Sequence, residues 1–150
     1  MKKIAIATII ALAAGAASAL ELGVTAARDY SGANNQNGVG VTVGDKAGKL
    51  GGALGFQRFD RGTNDYDRYT LIGSYDVAKV GPATVAVKGG AAYMDPKTGS
   101  TGYAALVGAG VSYPLTKQLA ATVDYRYQAG QSKINNQNGS TVAAGVKYSF

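Results

Sequence analysis

Gly102-Tyr103-Ala104-Ala105-Leu106-Val107-Gly108-Ala109-Gly110-Val111-Ser112-Tyr113-Pro114 is the stretch on which the fold turns. It lies within an uncharged run, 98–116, that comes close to the roughly 20 apolar residues a membrane-spanning helix needs. Five poor helix formers break that run: Gly99, Gly102, Gly108, Gly110 and Pro114. Its large side chains Tyr103, Val107, Val111 and Tyr113 all share one parity, the period of a strand. The stretch is a strand.

The same alternation recurs on both sides of it. Eight segments carry it, near 20–30, 37–45, 49–59, 66–77, 83–94, 101–113, 118–128 and 139–150. Residues that favour turns, among them Asp45, Gly48, Gly81, Pro82, Pro114 and Asn138, fall between the segments. Eight evenly spaced strands of about ten residues predict an all-β, eight-stranded antiparallel up-and-down barrel, closed on itself.

Composition removes most chemistry. The 150 residues contain no cysteine and no histidine, which excludes disulfide scaffolds, thiolate sites and the commonest general base and metal ligand. No metal cluster or cofactor motif is recognisable, and a non-enzymatic protein is expected. Lys2 and Lys3 precede an uncharged run that ends in Ala17-Ser18-Ala19, the pattern of a secretory signal. The run is too short for a spanning anchor. Residues 1–19 are therefore expected to be a cleaved signal and 20–150 the barrel domain. The formal net charge of +6 is scattered, so nucleic acid is not an expected partner.

Alternation alone leaves open which face points inward. The glycine count of 22 is about twice the usual share. The parity opposite the large residues carries Gly23, Gly38, Gly40, Gly51, Gly55, Gly90, Gly108, Gly110 and Gly145. An eight-stranded barrel has little interior space, so this small face fits inside. Tyr103 and Tyr113 stand ten residues apart on the outer face, roughly 25 Å of height for a tilted strand. That spacing matches the apolar band of a membrane barrel with its aromatic girdles. Tyr30, Tyr93, Tyr103 and Tyr127 would form one girdle, and Tyr113, Tyr148 and Phe150 the other. A secreted carrier with its apolar face inward is the competing arrangement, and the glycine-rich parity argues against it.

The chain ends in Gly145-Val146-Lys147-Tyr148-Ser149-Phe150. This resembles the final strand by which bacterial outer-membrane barrels are recognised for assembly, with Tyr148 and Phe150 as the signal. Tyr113-Pro114-Leu115-Thr116, Leu119 and Val123-Asp124-Tyr125-Arg126-Tyr127 resemble the turn and seventh strand of small barrels of the opacity-protein and outer-membrane-protein-A type. The resemblance implies a Gram-negative outer-membrane location, lipid and lipopolysaccharide contacts, the barrel-assembly machinery as a partner in biogenesis, and a monomer. It leaves the activity open, because that family includes structural anchors, adhesins, small channels and some enzymes. Its lipid A-modifying enzymes and omptin-type proteases rely on a histidine that this chain lacks. A wall-linking role like that of outer-membrane protein A is not carried over, since no peptidoglycan-binding segment follows Phe150.

The inward parity carries the candidate functional residues: Glu21, Arg68, Asp76, Lys88, Asp124, Arg126 and Lys147, with Asp29 near the loop-side rim. Buried charges need partners or water. The cluster reads first as a plug of ion pairs filling the lumen, with Asp124 paired to Arg126 or Lys147. On that pairing, Arg126→Ala would strand a buried acid and destabilise the barrel. A gate whose pairs exchange partners, giving weak porin-like passage, is the functional alternative. A catalytic pair of Asp76 and Asp124 has no nucleophile or metal cluster to support it. Arg28 and Arg58 on the outer parity could contact lipopolysaccharide phosphates or form a solvated collar. The pentapeptide Asn-Asn-Gln-Asn-Gly occurs at 34–38 and again at 135–139, as a surface epitope or as plain turn chemistry. All four connections on that side are short, which leaves little surface for adhesion or ligand binding through loops.

Overall fold

In hydrocarbon every backbone donor and acceptor must find a partner, and a closed sheet leaves no edge unpaired. The computed structural model describes residues 19–30, 35–60, 65–97, 101–130 and 138–150. They form β1 (Ala19–Asp29), β2 (Gln36–Ala47), β3 (Leu50–Asp60), β4 (Tyr66–Val80), β5 (Ala83–Pro96), β6 (Gly102–Pro114), β7 (Leu119–Gly130) and β8 (Gly139–Ser149). Each strand pairs antiparallel with the next, and β8 closes on β1 from Glu21↔Ser149 to Asp29↔Thr141. The terminal Phe150 amide also donates to the Leu20 carbonyl, extending the seam to the last residue. The strands lie within three residues of the segments read from the alternation. Only β4 overruns clearly, where a bulge between Asp76 and Ala78 adds length against β5. A residue inserted in this way breaks period two, so alternation underestimates the strand.

One end of the barrel carries three short turns, the start of β1 and the end of β8. Gly48 and Gly81 occupy positive φ there, at 62° and 59°, where a β-carbon would be strained. In the third turn the Thr116 hydroxyl accepts hydrogen bonds from the amides of Gln118 and Leu119. The opposite end carries the four longer loops. Residues 1–18, most of the expected signal, lie outside the described residues, and Ala19 opens β1. Of the repeated pentapeptide, Asn34 and residues 135–137 also lie outside them. Gln36 and Gly38 of the first copy belong to β2 and face inward.

Leu22, Val24, Val39, Val41, Leu71, Val107, Val123 and Val146 are exposed on the outer face in a continuous apolar belt. A surface of that extent belongs against lipid. Tyr30, Tyr103 and Tyr127 stand exposed near the loop end, and Tyr113, Tyr148 and Phe150 near the turn end. Tyr93 stacks obliquely on Tyr103 with ring centroids 5.1 Å apart, and Tyr148 meets Phe150 edge-on at 4.9 Å. Phe56 and Tyr69 join the first group, so that four rings face one another in register across β3 to β6.

The inner face departs from the expected run of small residues. In the loop half Phe59, Tyr66, Met94 and Leu106 point inward and are buried. Several of the large inward side chains sit beside a glycine on the neighbouring strand, among them Phe59 beside Gly38, Met94 beside Gly102 and Leu106 beside Gly90. A β-carbon at Gly38 would lie 2.6 Å from the Phe59 ring, and one at Gly40 would lie 2.5 Å from Gln57 Cγ. At Gly110 it would lie 2.0 Å from Asp124 Oδ1 and 3.0 Å from Lys88 Nζ. Glycine is therefore the partner residue that makes a filled lumen possible.

Gly110→Val should lower the stability of the folded barrel by about 1–3 kcal/mol through overpacking, read as a reduced urea midpoint at unchanged slope. Gly52→Val is the matched control. Gly52 faces outward with nothing within 4 Å of its missing β-carbon, and its substitution should leave the midpoint in place.

Candidate functional site

All eight inward charges read from the sequence face the lumen, and the barrel sorts them by height. In the loop half a single guanidinium spans the bore. Arg68 on β4 is 1% exposed and donates through Nε and Nη2 to Gln57 Oε1 on β3, at 3.1 and 2.7 Å. Its Nη1 crosses to the opposite wall, reaching Gln128 Oε1 on β7 at 2.9 Å and Thr141 Oγ1 on β8 at 3.0 Å. Asp29 Oδ2 on β1 lies 3.7 Å from the same nitrogen and accepts from the Tyr66 hydroxyl. The guanidinium also lies over the Phe59 ring, 4.6 Å from its centroid, and Phe59 stacks on Tyr66 at 4.8 Å. Five of the eight strands are thereby tied to one planar cation, which suits a guanidinium with its five fixed donors.

Below this layer the lumen opens into a cavity of about 170 Å³ toward the turn end. Its walls carry three ion pairs. Lys88 Nζ meets Asp124 Oδ1 at 2.5 Å, Lys46 Nζ meets Asp76 Oδ2 at 2.6 Å, and Lys147 Nζ meets Glu21 Oε1 at 2.9 Å. Two of the pairs leap over an intervening strand at a glycine. Lys88 on β5 reaches Asp124 on β7 across Gly110 of β6, and Lys46 on β2 reaches Asp76 on β4 across Gly51 of β3. The third spans the closing seam between β8 and β1. Their side chains remain 13–27% exposed, against 0–2% for Asp29 and Arg68, so water reaches the lower half.

These pairings correct the expected partnership of Asp124 with Arg126 or Lys147. Alternate inward residues of adjacent strands leave a lysine on β5 better placed to cross the glycine at 110 than an arginine two positions along the same strand as the acid. Arg126 is 6% exposed, its Nε has no hydrogen-bond partner, and the charge of Asp124 still acts on it. In Arg126→Ala the acid keeps Lys88, so it is not stranded in the way the sequence implied. Lys46 lies one residue past the segment 37–45 that the alternation marks. Gln57, Gln128 and Thr141 are uncharged, so charge alone does not single them out, although all three lie on the inward parity. Asp76 and Asp124 each neutralise a different lysine, which gives no shared-proton pair for acid–base work.

Outside, Arg58 forms a two-pronged pair with Asp67, with Nε–Oδ1 at 2.8 Å and Nη2–Oδ2 at 2.9 Å. Arg28 instead stands over the Tyr30 ring at 5.6 Å, with its guanidinium facing outward at the loop-side rim. No group of three or more potential metal ligands occurs among the described residues.

A family model described as "YfaZ precursor" matches residues 1–150. The chain belongs to the YfaZ family. Its fold is shared with solved outer-membrane barrels at low sequence identity. The N-terminal barrel domain of Pseudomonas aeruginosa OprF is 18% identical with a TM-score of 0.70, over 89% of this chain and 98% of that one. Neisserial surface protein A is 18% identical with a TM-score of 0.63, over 88% and 96%. Ail of Yersinia pestis is 14% identical with a TM-score of 0.61, over 89% and 99%. No curated protein sequence matches the chain. This YfaZ-family protein thus has the closed, eight-stranded architecture of an outer-membrane barrel.

Two substitutions should separate the bonded guanidinium from the unbonded one. Arg68→Ala strands Asp29, Gln57 and Phe59 and should cost about 3–5 kcal/mol, the scale for breaking a buried charged network. Arg126→Met keeps the packing against Gly108, removes no partner and should stay within about 1 kcal/mol of the parent. Urea refolding midpoints in lipid vesicles read both.

Proposed function

We propose that this protein is a non-enzymatic, integral outer-membrane barrel whose task is structural, occupying and stiffening the envelope without an open pore. The observation that carries this reading is the Arg68 layer. Side chains from β1, β3, β4, β7 and β8 meet there on one guanidinium with 1% exposure, which supports a bore plugged by side chains in the loop half. Weak passage of ions would require that layer to part, and the three pairs below it sit in a vestibule rather than a channel. The family description as a precursor supports export through a cleaved signal.

In this reading the turn end, with the start of β1 and the end of β8, faces the periplasm and the loop end faces outward. Tyr148 and Phe150 then present the assembly signal on β8, beside the closing seam. Arg28 is the stronger candidate for a lipopolysaccharide phosphate, because Arg58 already spends its fork on Asp67. The barrel works as a monomer with lipid as its partner.

Single-channel recording of the folded protein in a planar bilayer tests the proposal. The parent should be silent. Arg68→Ala, with insertion verified, should give discrete current steps. Steady openings from the unsubstituted protein would contradict the structural reading and establish a small channel.

A further inference from the structure

Among the described residues, four of the five cationic side chains that line the lumen form an ion pair with a carboxylate: Lys46 with Asp76, Lys88 with Asp124, Lys147 with Glu21, and Arg68 with Asp29. Arg126 is the exception. It lies on β7 between the Arg68 layer and the cavity, lines that cavity, and has a buried Nε without a partner. The carboxylate two residues away, Asp124, has its Oδ1 taken by Lys88. Two charges act on the guanidinium: the Arg68 cation behind it repels it, and the Asp124 carboxylate, shared with Lys88, attracts it. A buried guanidinium without an acid of its own is costly, and one that touches a water-reached cavity can take its counter-ion from solution.

The guanidinium fork fits two oxygens of one oxyanion, a match that a spherical halide lacks. Hydroxyls of Ser74 and Thr122 also line the cavity and supply further donors. Gly108 opposite Arg126 leaves the side chain its room, since a β-carbon there would lie 3.0 Å from Arg126 Cγ. We propose that the inner end of the lumen cavity is a binding site for a small oxyanion of the phosphate or carboxylate class. Arg126 holds the ion, which enters from the turn end. The site is independent of whether the barrel conducts.

The experiment uses the folded protein in neutral detergent with ¹⁵N-labelled arginine. Inorganic phosphate, and separately acetate, is titrated at ionic strength held constant with sodium chloride. One arginine Nε–H resonance, assigned by its absence in Arg126→Gln, should shift saturably with at least one of the two oxyanions. That titration should be at least tenfold tighter than the one with chloride alone. Arg126→Lys, a cation without the fork, should bind the same oxyanion at least threefold more weakly by calorimetry. If Arg126→Gln does not fold, Arg126→Lys supplies the assignment. A resonance that moves linearly with every salt, or equal calorimetric binding by the parent and Arg126→Lys, would overturn the proposal.

Discussion

The width of an eight-stranded barrel is the constraint from which the rest of this structure follows. Hydrocarbon demands a sheet without edges, and closing only eight strands leaves a bore that a few side chains fill. Large inward residues then stack or bond with one another, as Phe59 does with Tyr66 and Arg68 with Gln57, or take room from a glycine on the next strand. Glycine gives that room at Gly38 beside Phe59, Gly40 beside Gln57 and Gly110 beside the Lys88–Asp124 pair. The abundant glycine is thus a packing device of the lumen, used far more for space than for turns.

The same constraint explains why the polar interior is divided. Where the bore is completely filled, charge survives only as part of a network that satisfies several donors together, and Arg68 is suited to that by geometry. Where water enters from the turn end, isolated pairs suffice, and partial exposure lowers the cost of each. Arg126 stands at the boundary, buried like the upper layer but facing the wet half.

Most of the fold was legible in the sequence because membrane strands alternate without interruption. Tyr103, Val107 and Val111 announce β6, and Tyr148 with Phe150 announce the end of β8. The bulge at Asp76 and Ala78 breaks that period and hid the end of β4. Which inward groups would meet was much less legible. Strand parity places Lys88, Asp124 and Lys147 on one wall, but partnership depends on the height of each residue around a tilted sheet. The choice of Lys88 over Arg126 for Asp124 rests on the register that sets Gly110 opposite the acid. Lys46, one residue beyond the expected strand end, shows how a small boundary error removes a functional group from view.

The central claim is a lumen sealed in its loop half and open in its turn half. The chain has no cysteine, so single cysteines report cleanly. Ser74→Cys lies in the cavity wall, and Ala143→Cys lies in the buried layer at 2% exposure in the parent. Both would be exposed to a membrane-impermeant charged maleimide in vesicles of known orientation. The account predicts that Ser74→Cys reacts from the turn face alone, and that Ala143→Cys stays unreacted from either face until the barrel is unfolded. Labelling of Ala143→Cys in the folded protein from the loop face, or of Ser74→Cys from both faces, would contradict it.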